Sequence, residues 1–352
     1  MKNKLLLLGL ASIATSVCRA ESIRAAPAPS TSFSPSVLPG NGLAQHDFLY
    51  AGEWDTRKAM QSMFLVRGGE VVWTYTTPLH PTPGVNQEFD DATLLPNGNI
   101  ISSRMSGAGM VNPEKKLVWE YRAPPGTEVH SAQSVGPDLV LIMRNGNPAE
   151  AMIFNTATNT VVKEIPIPTS IKGTHGQFRH IRMTAAGTLL VPHLSENKVV
   201  EYTLDGKAIW SVKASSPWSA VRLKNGNTLI AGDHSGYARE VDPTGKTVWE
   251  FTQADVPAIK IFNLQTAHRL ANGNTVLCNW CAGHKEMADW PDTVQVIEVT
   301  PTKKVVWALR SWSGKSDLGP SSNIQILDNP EDAAAEIADH ESLFPHQRLL
   351  KK

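Results

Sequence analysis

Five times the chain repeats one phrase, in which a charged or glycine-containing turn leads into two β-branched or apolar residues and then a tryptophan. The copies are "RGGEVVWTY" at Trp73, "EKKLVWEY" at Trp119, "DGKAIWSV" at Trp210, "TGKTVWEF" at Trp249 and "TKKVVWAL" at Trp307. A sixth, "TNTVVKEI", carries Lys163 in the tryptophan position. A second phrase alternates with the first, strongly in "LLPNGNIISS", "RLKNGNTLIAG" and "RLANGNTVLCN" and more weakly in "SVGPDLVLIM" and "MTAAGTLLVP". Successive copies stand roughly 40 to 58 residues apart. That period excludes long helices and predicts short strands stacked in repeated units, because each unit buries its apolar face only against its neighbours.

Each unit parses as strand A, an Asn-Gly turn, strand B, a longer loop, strand C, a DGK-type turn and strand D with the tryptophan. The Asn-Gly pairs suit two-residue hairpins, since both residues tolerate positive φ. The first unit, "HDFLYAGE", "SMFLVR" and "EVVWTY", supplies only strands B, C and D. The missing A strand is found in "SSNIQILDN" at the other end of the chain. The expectation is an all-β fold, a six-bladed β-propeller of four-stranded antiparallel blades over residues 46–328. Its ring is closed by a C-terminal strand joining the N-terminal blade, which removes exposed sheet edges. Composition agrees: 25 Gly, 24 Pro and 10 Trp with only 19% charged residues favour strands and turns.

The N-terminus, "MKNKLLLLGLASIATSVCRAES", reads as a secretory signal peptide over residues 1–20 with cleavage after Ala20. Val17 stands before Cys18, where a lipid-modification site requires a small residue, so a lipoprotein is disfavoured. The mature protein is therefore expected in the periplasm or outside the cell. Residues 21–45, rich in Ala, Pro and Ser, read as a flexible linker, and residues 329–352 as a short helix and tail outside the repeat. No other segment is apolar enough to span a membrane. With 33 basic and 33 acidic side chains the chain lacks the electrostatic footprint of a nucleic-acid-binding protein. It is expected to be a monomer acting on a small molecule or saccharide.

The "DGKxxW" and "TGKxVWEF" phrases resemble those of pyrroloquinoline-quinone-like (PQQ-like) propeller repeats. The "LxNGNTLI" phrase is similar to that of the arylsulfotransferase-like propellers of bacterial secreted proteins. The resemblance spans residues 46–328 and implies the fold, since the repeated residues close hairpins and pack tryptophans between blades. Quinone dehydrogenases of this superfamily have eight blades, adjacent paired cysteines and an Asp/Glu/Asn calcium site; six blades and no adjacent pair make PQQ unexpected here. Sulfuryl transfer would use a histidine nucleophile with Arg and His around the sulfate, which the inventory of residues allows.

In a four-stranded meander the A–B and C–D turns share one face of the disc, and the B–C loops and the approaches to the A strands share the other. Hairpin geometry accounts for the first face. The second gathers residues that repetition does not explain: Asp90 and Asp91, His130, His175, Arg179, His180 and Arg182, Trp218, Asn263, Gln265 and His268, and Asn323 and Gln325 near the starts of A strands. At the ends of B strands stand Arg104, Arg144, His193, Asp233 with His234, and Asn279 with Trp280, followed by His284. Seven of the 11 histidines are thereby expected around one mouth of the central channel. Loops free to vary around a scaffold are the usual place for a ligand site.

Imidazoles titrate near neutral pH and serve as acid, base or metal ligand. Arginines fork around carboxylate, sulfate or phosphate, and tryptophans offer faces on which sugars stack. His130, His180, His234, Arg104 and Arg144 are the expected catalytic residues. Asp90, His175, Arg179, His193, Trp218, Asp233, Gln265, Asn279, Trp280 and Asn323 are the expected substrate-binding residues. Together they suit an enzyme acting on a saccharide or small anionic organic molecule, of lyase type on a uronate, with Arg neutralising the carboxylate and His abstracting the adjacent proton. The alternative is a non-catalytic ligand- or protein-binding propeller. A catalytic pocket should be deep, with His and Arg within about 4 Å of a shared point, whereas an interaction surface should be flat with spread aromatics.

A ring of such residues could also hold a divalent metal, although no short chelating motif fixes the element. In "CNWCAGH" the pair Cys278 and Cys281 leaves a strand and not a helix N-terminus, which argues against a redox CxxC. Zinc would need ligands beyond His284. A local disulfide is expected, with free buried thiols as the alternative.

Overall fold

The computed structural model describes residues 32–344 apart from Asp233, Ser235 and Glu336. The expected leader with Cys18 and the first part of the expected linker lie outside the described residues, as does Asp233. Blade 1 contains β1 (Phe48–Gly52), β2 (Met60–Arg67) and β3 (Glu70–Pro78). Blade 2 runs from β4 (Asp91–Leu94) through β5 (Ile100–Arg104) and β6 (Gly107–Val111) to β7 (Leu117–Arg122). Blade 3 runs from β8 (Glu128–Gly136) through β9 (Leu139–Asn145) and β10 (Glu150–Asn155) to β11 (Thr160–Pro166). Blade 4 is β12 (Arg182–Met183), β13 (Leu189–His193), β14 (Lys198–Tyr202) and β15 (Ala208–Lys213). Blade 5 is β16 (Pro217–Arg222), β17 (Thr228–Gly232), β18 (Tyr237–Val241) and β19 (Thr247–Phe251). Blade 6 is β20 (Asn263–Arg269), β21 (Thr275–Trp280), β22 (Val296–Val299) and β23 (Val305–Leu309). The last strand, β24 (Ser321–Ile326), pairs antiparallel with β1 and completes blade 1 in the order β24-β1-β2-β3. The six-bladed ring is thus closed as the missing A strand required.

The turns differ from expectation in one detail. Leu95 and Asn99 pair across three loop residues, with the Gly98 N–H donating to the Leu95 carbonyl. Only Gly98 takes positive φ, at 85°. This is a type I turn closed by a left-handed glycine, and the Asn97 side chain accepts from the Asn99 N–H. The same bonds recur at Leu223–Asn227, Leu270–Asn274 and Asp242–Lys246, so the two families of turns share one geometry.

The repeated tryptophans fasten neighbouring blades. The indole N–H of Trp73 donates to the Pro113 carbonyl, that of Trp210 to Pro243, and that of Trp249 to Pro301. Each acceptor lies in the C–D turn of the next blade. Trp119 reaches the Asn159 side chain in the same way. Trp307 of blade 6 donates to Gly42, within the segment expected to be linker. From Phe33 onward that segment is bonded along blade 6: Lys260 N–H donates to Phe33, Ala308 N–H to Pro39, and the Arg310 guanidinium bonds Ser34.

The C-terminal segment crosses the face of the A–B turns. Its helix α1 (Pro330–Ala334) is capped by Asn329, whose side chain accepts from the Asp332 N–H. Glu331 pairs with Lys224 of blade 5, and Asp332 accepts from Ala271 N–H of blade 6. Ala333 accepts from Gln325 of blade 1, while Ala338 and His340 N–H groups bond Ser134 and Val135 of blade 3. Ile337 packs in the cluster around Leu95 of blade 2, and Leu343 covers Gly187 of blade 4. The segment touches all six blades, so it staples that face of the ring. Truncation after Asn329 strips away the buried Phe344 and these bonds. It should cost about 3 kcal/mol, read as a lower midpoint in urea unfolding.

Candidate functional site

The inner strands carry polar side chains into the channel, and one knot of them ties four blades together. Asp91 of blade 2 takes a two-pronged ion pair from Arg182 of blade 4, at 2.8 and 3.0 Å. It also accepts from the Ala132 N–H of blade 3 at 3.2 Å and from Asn323 of blade 1 at 2.6 Å. Asp91 is 0% exposed and Arg182 6%.

On the face of the B–C loops the channel opens into a cavity of about 610 Å³. Every blade contributes. Glu53 and Trp54 follow β1, Asn86 and Glu88 precede β4, and Met105 follows β5. Glu128 opens β8, while His175, Gly176 and Arg179 precede β12. Leu194 and Ser195 follow β13, Trp218 lies in β16, His234 follows β17, and Trp280 ends β21. Trp54 and His234 both adopt left-handed backbone, at φ 57° and 52°, a conformation uncommon for such side chains that concentrates at functional sites.

Beneath the cavity a line of titratable groups crosses from blade 2 to the connection into blade 4. Asp90 Oδ1 lies 3.1 Å from His130 Nδ1, and His130 Nε2 lies 2.9 Å from Glu128 Oε2. The same Glu128 oxygen is 3.1 Å from His175 Nδ1, and His175 Nε2 is 3.3 Å from Arg179 Nη2. Since an arginine only donates, that contact makes Nε2 the acceptor and leaves Nδ1–H to donate to Glu128. The Arg179 guanidinium lies 4.5 Å over the Trp218 ring and donates to the Phe178 carbonyl at 2.9 Å. An imidazole and a fork of guanidinium donors therefore stand side by side at the cavity wall.

Burial alone would raise the Glu128 carboxyl, but hydrogen bonds from His130 and His175 outweigh it and hold it far below the usual carboxylate range. Burial and then the Arg179 charge oppose a charged His130, yet Asp90 and Glu128 carry its pKa above the ordinary value. Glu88 is pushed well up, first by burial and then by the negative charges of Asp90 and Glu53.

His175, Arg179, Trp218, His234 and Trp280 line the cavity, and Asp90 and His130 lie directly beneath it. The structure engages the other expected residues elsewhere. Arg104 pairs with Glu120 at 3.0 Å and Arg144 with Glu150, each across its own blade. The Asn279 side chain accepts from Phe262 N–H and donates to the Lys260 and Val294 carbonyls, pinning a loop. Asn323 belongs to the Asp91 knot. His180, which precedes β12 and bridges to Ser219 of blade 5, and Gln265 in β20 are fully buried, His268 shares a recess with Asp332 of the tail, and His284 bonds Asp289 at 3.0 Å. The histidines are thus spread through the ring, and the cavity is richer in carboxylates than in imidazoles. Glu53, Glu88 and Glu128 were not anticipated. The spacings Glu88–Asp90 and Glu128–His130 carried a signal, because residues two apart on extended chain share a face.

His193 is a packing residue, 0% exposed and held between Glu196 at 2.7 Å and the Tyr202 hydroxyl at 3.0 Å. Burial is the leading cause that brings its pKa down to about 4. A depressed histidine contributes stability fully above its unfolded value near 6.5 and loses it as pH falls through the folded value. Wild type should lose about 3 kcal/mol from this group between pH 6.5 and 4. His193→Gln should be the less stable protein at pH 7, and its deficit should shrink on acidification, as measured by denaturant melts at both pH values.

Cys278 and Cys281 are both buried and not bonded to each other, so the expected disulfide is not formed. Three residues apart on extended chain, they point to opposite sides. Cys278 packs with Phe48 and Leu309, and Cys281 with Trp290 and Trp312. Burial pushes the Cys281 thiol up to about 12.

No protein-family model and no curated protein matches the chain. The six-bladed propeller that the resemblance implied is present, while no family match supports a PQQ-like or arylsulfotransferase-like assignment. Among solved structures, the chain is similar to a protein of unknown function from Bacteroides caccae, with 27% identity and a TM-score of 0.68, covering 79% of this chain and 98% of that one. It is also similar in fold to a catalytically inactive variant of virginiamycin B lyase from Staphylococcus aureus solved with quinupristin. There the identity is 15%, the TM-score 0.52, and the coverage 78% of this chain and 88% of that one. No helix among the described residues is long and apolar enough to cross a membrane.

Proposed function

We propose that this propeller is a secreted or periplasmic enzyme that acts on a carboxylated saccharide by lyase-type proton abstraction at the channel mouth. One observation carries the reading: His175, Arg179 and Trp218 are locked together at the cavity wall, with Nε2 of His175 3.3 Å from the guanidinium and that guanidinium stacked on the indole. A uronate carboxylate arriving at Arg179 would take over the donor now facing His175 and leave Nε2 as a base beside the acidic C–H. Glu128, accepting a hydrogen bond from Nδ1–H, stabilises the imidazolium that forms. The C5–H bond breaks toward His175, the C4–oxygen bond breaks, a C4–C5 double bond forms, and the leaving oxygen departs with a proton from water. Trp54, Trp218 and Trp280 supply faces for sugar rings. The virginiamycin B lyase shares the fold, and at that identity the likeness supports nothing further.

The test is to offer the purified protein uronate oligosaccharides alongside neutral oligosaccharides of the same linkages. Growth of the ultraviolet absorbance of the conjugated double bond with uronates alone supports the reading. Tight uronate binding without that absorbance leaves the non-catalytic reading in its place. Equal behaviour of the neutral sugars sinks the role of Arg179.

A further inference from the structure

Glu88 lines the cavity and Asp90 follows it two residues on, 2% and 0% exposed. The outer oxygen of each, Oε2 and Oδ2, is buried without a hydrogen-bond partner. Buried carboxylate oxygens of this kind carry a desolvation cost that hydrogen bonding does not offset. One side-chain oxygen of Glu88, one of Asp90 and one ring nitrogen of His130 lie within 4.8 Å of one another. Donors that share an ion at about 2.1 Å stand roughly 3 to 4.3 Å apart, so small side-chain movements bring this trio into ligand geometry. His130 is set for the task from behind, since Glu128 accepts at Nε2 and leaves Nδ1 facing Asp90. A histidine held by a second carboxylate in this way is the usual outer support of a metal ligand.

We propose that Glu88, Asp90 and His130 bind one divalent transition-metal ion at the floor of the cavity. Two carboxylates with one imidazole suit manganese or zinc better than calcium or magnesium, which favour oxygen alone. Among its described lining residues the cavity carries Glu53, Glu88 and Glu128 against one arginine, Arg179. A cation there offsets the excess negative charge that a carboxylated ligand meets. The inference goes beyond the lyase reading and does not depend on it, because the ion is measured without turnover.

The experiment uses tag-free full-length protein stripped with chelator and then titrated with Mn²⁺, followed by electron paramagnetic resonance, and with Zn²⁺, followed by calorimetry. One equivalent should bind with micromolar affinity or better, and Ca²⁺ and Mg²⁺ should bind at least about tenfold more weakly. Glu88→Gln and Asp90→Asn should each weaken binding by about tenfold or more, while His175→Ala stays within about threefold of wild type. Added Mn²⁺ should raise the melting temperature of wild type and of His175→Ala and leave that of Glu88→Gln unmoved. If Asp90→Asn fails to fold, Glu88→Gln decides, since it replaces an unpartnered oxygen by an isosteric group. Absence of stoichiometric binding, or equal binding by Glu88→Gln, overturns the proposal. So does binding lost in His175→Ala and kept in Glu88→Gln, which would put the ion on the Glu128 side of His130.

Discussion

Asp91→Ala should destabilise the fold by about 3 to 5 kcal/mol, the usual result of leaving one member of a buried ion pair without the other. For a domain of this size that is a fall in melting temperature on the order of 10 °C. The cost exceeds that of a lost surface pair because the Arg182 guanidinium is 6% exposed and both of its prongs go to Asp91. The same substitution removes the acceptor for Ala132 N–H and for Asn323, so contacts among four inner strands loosen together. Arg182→Met in the same chain should recover part of the loss by withdrawing the unpaired charge, and the double-mutant cycle should show strong coupling between the two positions. The melts belong in chelator, so that no ion bound at neighbouring Asp90 contributes. A single-mutant cost below about 1 kcal/mol would mean that water reaches Arg182 and that the knot does not hold the ring.

The scaffold was legible because its determinants are local and repeated. A three-residue turn is fixed by its own residues, and four of the five repeated tryptophans need only the next blade's turn as an acceptor, so similar residues recur from copy to copy. Even the closure of the ring could be read, since a unit lacking strand A and an orphan strand at the far end imply each other. The site was legible only by face. Its mouth is where the non-repeated residues pointed, but Glu53, Glu88, Glu128 and His175 come from different parts of the ring, and only closure brings them into one cavity. A lone glutamate at the start of a strand looks like solvated surface until that happens. Histidines misled for the opposite reason: imidazole serves equally as a packing group, and His193 between Glu196 and Tyr202 spends both ring nitrogens on its own blade. The docking of the C-terminal segment across six blades rests on single contacts that no period announces.

His175→Ala should lower kcat/KM on a uronate substrate a hundred- to ten-thousand-fold, the range for loss of a positioned general base, with no change in melting temperature. The side chain is 65% exposed, so its removal leaves the fold intact and the loss belongs to chemistry. Arg179→Lys separates the second role. Lysine keeps the charge but gives up the planar fork and the stacking on Trp218, so the ligand carboxylate is held by one contact where it had two. Because that contact forms in the bound substrate as well as in the transition state, KM should rise more than kcat falls. Neutral oligosaccharides should bind wild type and Arg179→Lys alike. If His175→Ala retains turnover within a few fold, the base lies elsewhere along the wall, and the cavity's other imidazole, His234, becomes the group to replace.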